Sequence, residues 1–110
     1  YRRARDELYP AVHRGACKRL GNRAGDKLAE VVEAIGGLGC VPSDASSETE
    51  TVFMDVCGAP GAWSRFLFSF GASHATRMQG YGFSLRNGTN PLSCTWYSDL
   101  MSRPDFRAVW

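Results

Sequence analysis

The stretch Thr51-Val52-Phe53-Met54-Asp55-Val56-Cys57-Gly58-Ala59-Pro60-Gly61-Ala62-Trp63-Ser64-Arg65-Phe66-Leu67 decides the fold. Its first six residues are apolar or β-prone apart from Asp55, and they read as a short buried strand. Cys57-Gly58-Ala59-Pro60-Gly61 is turn chemistry. From Ala62 the pattern becomes helical, with Trp63, Phe66, Leu67 and Phe70 expected on one face and Gly71-Ala72 expected to close the helix.

The same periodicities organise the flanks. Pro10 suits the first turn of a helix, and Leu8, Ala11, Val12, Gly15, Ala16 and Leu20 keep helical spacing up to Gly21. Asn22 is the expected N-cap of a second helix, whose apolar face is Ala24, Leu28, Val31, Val32 and Ile35, and which ends at Gly36-Gly37. Residues 36–50 read as a polar, flexible connection with Pro42 and a serine-rich run. A second strand is expected within 76–85, a loop over 86–95, a short helix over 96–101 and a third strand over 106–110. Helix, strand, helix, strand opens an α/β fold with a parallel sheet.

Composition narrows the class. The 110 residues make one domain at most, and 44% apolar with 22% charged residues is ordinary for a globular chain, not a disordered one. No apolar run approaches the roughly 20 residues of a membrane span, so no membrane partner is expected. The cysteines at 17, 40, 57 and 94 are too widely spaced for a zinc motif, and reduced thiols in a cytoplasmic protein are expected.

The net charge of +2 conceals an asymmetry. Eight of the 13 Lys and Arg residues lie in the first 27 positions against three acidic ones, so that end carries +5 and the remainder −3. A basic end suits a polyanion such as RNA, with Arg14, Lys18, Arg19 and Arg23 as candidate phosphate contacts; a solvated helix face is the alternative.

Ligands of open parallel sheets bind at the carboxyl ends of the strands, where the 57–61 turn lies. Gly58 and Gly61 let the backbone approach a ligand, Pro60 stiffens the turn, and the N–H groups at Ala62 and Trp63 face the same space. A side chain at position 61 is expected to fill the ligand's approach path. A dinucleotide would call for G-x-G-x-x-G, and Asp55 would set a negative charge near its phosphates, which disfavours a nicotinamide reductase. A cationic or zwitterionic nucleoside fits Asp55 better. The plainer alternative is a strand-to-helix turn in which Asp55 caps helix donors.

Three stretches resemble one family. Asp55-Val56-Cys57-Gly58-Ala59-Pro60-Gly61-Ala62-Trp63-Ser64 resembles the S-adenosylmethionine (SAM) signature of FtsJ-type (RrmJ-like) RNA ribose 2′-O-methyltransferases, roughly D-L-C/G-x-x-P-G-G-F/W-S. Asn22-Arg23-Ala24-Gly25-Asp26-Lys27-Leu28 looks like the family's N/S-R-A-x-x-K segment. Gly80-Tyr81-Gly82-Phe83-Ser84-Leu85-Arg86 looks like the G-x-G-x-T-L-K stretch of its cap-methylating branch. The matches fall in the family's order over residues 22–86.

The resemblance implies the N-terminal half of a Rossmann-like, SAM-dependent methyltransferase fold. Residues 1–36 would form a basic helical segment, 37–50 a flexible loop and 51–110 the start of the SAM-binding sheet. It implies SAM as cofactor, held by Asp55, Cys57, Gly58, Ala59, Pro60, Gly61, Ala62 and Trp63 with Asn22 as an extra contact. Ala62 stands where the family usually has a second glycine. Lys27 matches the first lysine of a K-D-K-E catalytic set; a snorkelling surface lysine is the alternative. The catalytic aspartate, second lysine and glutamate are expected further along a larger polypeptide, since Asp99 and Asp105 precede the expected place. The implied partner is capped mRNA or rRNA, in the cytoplasm, the nucleus or a viral replication complex. The rival reading is a methyltransferase-like module that has lost catalysis and binds RNA or protein.

Overall fold

Three parallel strands carry the fold. The computed structural model describes residues 23–41, 49–85 and 95–110. In chain order the elements are α1 (Arg23–Ala34), β1 (Thr49–Val56), α2 (Ala62–Ser73), β2 (Thr76–Phe83), α3 (Ser98–Met101) and β3 (Phe106–Val109). The sheet order is β1-β2-β3, with Thr49 opposite Thr76 through Val56 opposite Phe83, and Gly80 opposite Phe106. This is an α/β arrangement with a parallel sheet, as the alternation of patterns predicts. The helix expected over 8–20, and the candidates Arg14, Lys18, Arg19 and Asn22, lie outside the described residues.

Each strand divides its residues between two faces. On one face Phe53, Met78 and Phe106 meet Phe68 of α2 and, with Val41, Trp96 and Leu100, build the core. The rings pack edge to face: Phe53 on Phe68 at 5.2 Å, Phe68 on Phe106 at 6.2 Å, and Trp96 on Phe106 at 5.2 Å between centroids. On the opposite face Val52, Met54 and Val56 are 61, 67 and 66% exposed. No helix covers that face among the described residues.

The structure corrects two expectations, the end of α2 and the 36–50 connection, and adds which residues of each helix face are buried. The buried line of α2 is Ser64, Phe68 and Gly71, whereas Trp63 is half exposed and Phe66, Leu67 and Phe70 are only half buried. Phe68 is the ring that α2 buries in the core, and Phe70 packs against that core from its margin. Gly71 does not end α2; it lies inside it, because a Cβ there would press on Met78 and on the Thr76 carbonyl, and the helix runs on to Ser73. The apolar face of α1 is largely uncovered: Val32 is buried, but Val31 and Ile35 are 54 and 67% exposed. Among the described elements α1 packs chiefly against α2. The connection read as 36–50 is not uniformly polar and loose, since Val41 is a core residue and Thr49 and Glu50 belong to β1.

The C-terminus of α1 follows the glycine signal. Gly36 donates to Glu33 at 3.1 Å and Gly37 donates to Val32 at 2.9 Å, with Gly36 at φ 79°. This is the paired-bond ending that a left-handed residue after the helix permits.

Candidate cofactor site

Strand β1 delivers Asp55 to the core side of the sheet, next to the start of α2. The carboxylate is 5% exposed, and the Ser64 hydroxyl donates to its Oδ2 at 2.7 Å. Ser64 is completely buried. Asp55 therefore holds a place in the wall of the turn through a charge-assisted bond, rather than by capping the helix as the plainer reading has it. The N-cap of α2 is Gly61, and no side chain caps the helix. The N–H groups of the first turn, with the positive end of the helix dipole, are left for another acceptor.

The turn is built on close backbone approach. Cys57 sits at φ 59° and donates to the Phe83 carbonyl at 2.7 Å, tying the end of β1 to the end of β2. Gly61 donates to the Gly58 carbonyl at 2.8 Å, and the Ala59–Pro60 peptide is cis. A Cβ on Gly58 would fall onto the Asp55 carboxylate. Gly61 has φ 107°, and a Cβ there would run into Leu100 and meet the Trp96 ring at 3.0 Å. The side chain of a residue at 61 would thus point into the core, not into a ligand's approach path as the sequence suggests.

The segment after residue 94 forms the far side of the turn. Tyr97 donates its N–H to the Pro60 carbonyl at 2.9 Å. Arg65 grips Asp99 with two hydrogen bonds and lies over the Tyr97 ring at 3.6 Å. That grip keeps the Asp99 carboxyl below the usual carboxylate range. Asp105 is paired with Arg103 at 2.8 Å, so both aspartates have structural partners. Nothing local in the sequence marks Trp96 and Leu100 as the support of the turn, because they lie some 35 residues away. Ser64 is the missed residue with a signal: it closes the same motif that Asp55 opens.

A cavity of about 240 Å³ opens over this turn, lined by Ala24, Asp55, Val56, Cys57, Gly58, Ala59, Pro60, Ala62 and Trp63. That volume is just under the roughly 300–1,000 Å³ common for small-molecule sites. It brings together all the candidate contacts between 55 and 63 except Gly61, whose backbone supports the turn from below. Ala24 is an addition from α1. A larger hollow of about 350 Å³, lined by Thr49, Glu50, Thr76 and Arg77 among others, lies at the starts of β1 and β2. The carboxyl ends of the strands are where parallel sheets bind ligands, so the 57–61 turn is the better candidate.

Lys27 does not line the cavity; it is exposed on α1, three residues beyond Ala24. Residues three apart are neighbours on a helix surface, so its stem starts beside the cavity rim. Arg23 is half buried at the start of the same helix. Among the described residues Cys40 and Cys57 are free thiols and no group of His, Cys, Asp and Glu could hold a metal ion. No described helix is long and apolar enough to cross a membrane.

The chain is 42% identical over 111 residues to the cap-specific mRNA (nucleoside-2′-O-)-methyltransferase 1 of Trypanosoma brucei brucei, a match that takes in 96% of this chain and 29% of that protein. It is 43% identical over 103 residues to the protein of the same name from Trypanosoma cruzi, with 91 and 28% covered. A third, from Leishmania braziliensis, is 35% identical over 117 residues, covering the whole chain and 28% of the relative. The chain is similar to one segment of cap-specific mRNA methyltransferases. It spans less than a third of the length of these curated relatives. No family model matches the chain, and no solved structure matches it significantly.

Proposed function

We propose that the chain is the SAM-binding portion of an FtsJ-like, Rossmann-like mRNA cap ribose 2′-O-methyltransferase. The observation that carries this reading is the cavity over the 55–63 turn, with a buried carboxylate in its wall, in a chain similar along 91–100% of its length to proteins named for that activity.

The residues present suit SAM. A zwitterion with a cationic sulfonium finds one anionic wall at Asp55 and an uncapped helix start at Ala62 and Trp63. Gly58, Ala59, Pro60 and Gly61 would supply a backbone cradle, with Cys57 at its rim and Asn22 as a further contact. When bound, SAM supplies an electrophilic methyl group.

The chain's own residues would do the rest. Ser64 keeps the Asp55 carboxylate fixed, so no reorganisation is needed when a cation arrives. Lys27 would hold the ribose 2′-oxygen by hydrogen bond and help draw off its proton, so that catalysis is chiefly positioning with acid–base assistance. The basic residues of the N-terminal part, Arg14, Lys18, Arg19 and Arg23, would hold RNA phosphates and make binding salt-dependent. All three relatives are trypanosomatid proteins, which supports a cellular cap methyltransferase over a viral one.

Calorimetry of the full-length parent protein with SAM tests the reading. Saturable binding in the wild type that Asp55→Asn weakens at least about tenfold is expected from the loss of one charge contact. Absence of SAM binding by the folded parent would overturn it, and binding without transfer to capped RNA would favour the inactive module.

A further inference from the structure

The geometry points to Trp63 as a positioning residue whose indole N–H ties the Lys27-bearing turn of α1 to the start of α2. The indole Nε1 donates to the Ala24 carbonyl at 2.7 Å, across 39 positions of sequence. Ala24 lines the cavity, and Lys27 follows it by three residues. The ring itself is 48% exposed, so it is not primarily a core residue.

Three features make this bond matter. First, its acceptor is a backbone carbonyl, so it fixes the helix and not merely a neighbouring side chain. A carbonyl has two lone pairs and can accept the indole without surrendering its helical bond. Second, among the described residues Val32 is the one buried large apolar side chain of α1, while Val31 and Ile35 stand exposed. The bond to Ala24 therefore adds a fixed point at the first turn of α1. Third, Trp63 belongs to the cavity-lining turn, so the tie sets the Lys27 turn directly against the cofactor site. A displacement of about 1 Å between reacting groups is enough to cost on the order of 10²-fold in rate.

This inference rests on the proposed methyl transfer, and its test separates the two. In the full-length parent protein, Trp63→Phe should lower kcat about tenfold, a larger change than in SAM affinity, while the melting temperature barely changes. In a Lys27→Ala background the same substitution should change kcat less than twofold, because a residue acting through the lysine has nothing left to position. Should the phenylalanine variant fail to fold, benzothienylalanine at position 63 keeps the ring shape and deletes only the N–H; it should give the same result. An unchanged kcat, an equal fall in both backgrounds, or a loss confined to SAM affinity would overturn the inference alone. No SAM binding or transfer by the unsubstituted protein would overturn the proposed function and this inference with it.

Discussion

Ser64 and Asp55, nine residues apart, meet beneath the turn with a hydroxyl-to-carboxylate bond of 2.7 Å, both fully or almost fully buried. Ser64→Ala should therefore destabilise the protein by about 1.5–3 kcal/mol, the scale of a hydrogen bond to a charged group. Asp55→Asn should cost less stability, since the amide oxygen still accepts from Ser64, yet should lose more SAM affinity. Denaturant unfolding and calorimetry on the two variants check the contrast. Equal loss of affinity in both would show that the charge is not what the ligand meets.

Gly61→Ala should be disruptive although alanine is small. The residue is at φ 107°, and its Cβ would collide with Leu100 and Trp96. Left-handed backbone costs a non-glycine residue about 1–3 kcal/mol before any clash is added. The substitution should lower unfolding free energy by at least that much and should loosen the 95–101 segment as measured by hydrogen exchange. Wild-type stability with weakened SAM binding would instead restore the expectation that position 61 faces the ligand.

The Arg65–Asp99 pair gives a pH signature. Its hydrogen bonds to Arg65 lower the folded-state pKa of Asp99. A depressed carboxyl contributes stability that is present above its unfolded value of about 3.9 and is lost as pH falls through the lower folded value. Asp99 is 56% exposed, so the contribution is at most about 1 kcal/mol and shrinks with salt. Asp99→Asn should differ from wild type at pH 7 and converge with it towards pH 3. A gap that persists in acid would assign the effect to packing of Tyr97 rather than to charge.

The uncovered sheet face should make the isolated 110-residue chain associate. Val52, Met54 and Val56 form an exposed apolar row on β1, which pairs with β2 on one side only among the described residues. Such rows and free strand edges promote self-association. Light scattering should detect oligomers that Met54→Lys suppresses, and the isolated chain should show no methyl transfer. A monodisperse monomer would show that this face is covered within the chain.

Much of the fold is legible locally. β-branched runs and glycine-punctuated turns placed β1, α2, β2 and β3 in order, because period and turn chemistry are properties of neighbouring residues. The faces of the helices were less legible. Trp63 and Phe70 share a helix face by spacing, yet Phe68 is the buried ring of α2 and Trp63 bonds Ala24. The strand-to-helix turn from Asp55 to Trp63 was readable, and a cavity does open over it, while Ser64 could have been added from the same motif. The support from Trp96 and Leu100 was not, since tertiary packing brings it from a distant segment. Asp26 is buried with one carboxylate oxygen unpartnered, and nothing in the structure explains it.

The most direct measurement is transfer of labelled methyl from SAM to capped RNA by the full-length parent protein, wild type against Lys27→Ala, with digestion to locate the label. The account predicts label on a ribose 2′-oxygen, a fall in kcat of about 10²-fold or more in the alanine variant, and SAM affinity within about twofold. Lys27→Arg should not rescue, because a guanidinium stays charged and cannot share a proton. Label on a base, no SAM-dependent label, or a Lys27→Ala rate within about twofold of wild type would contradict it.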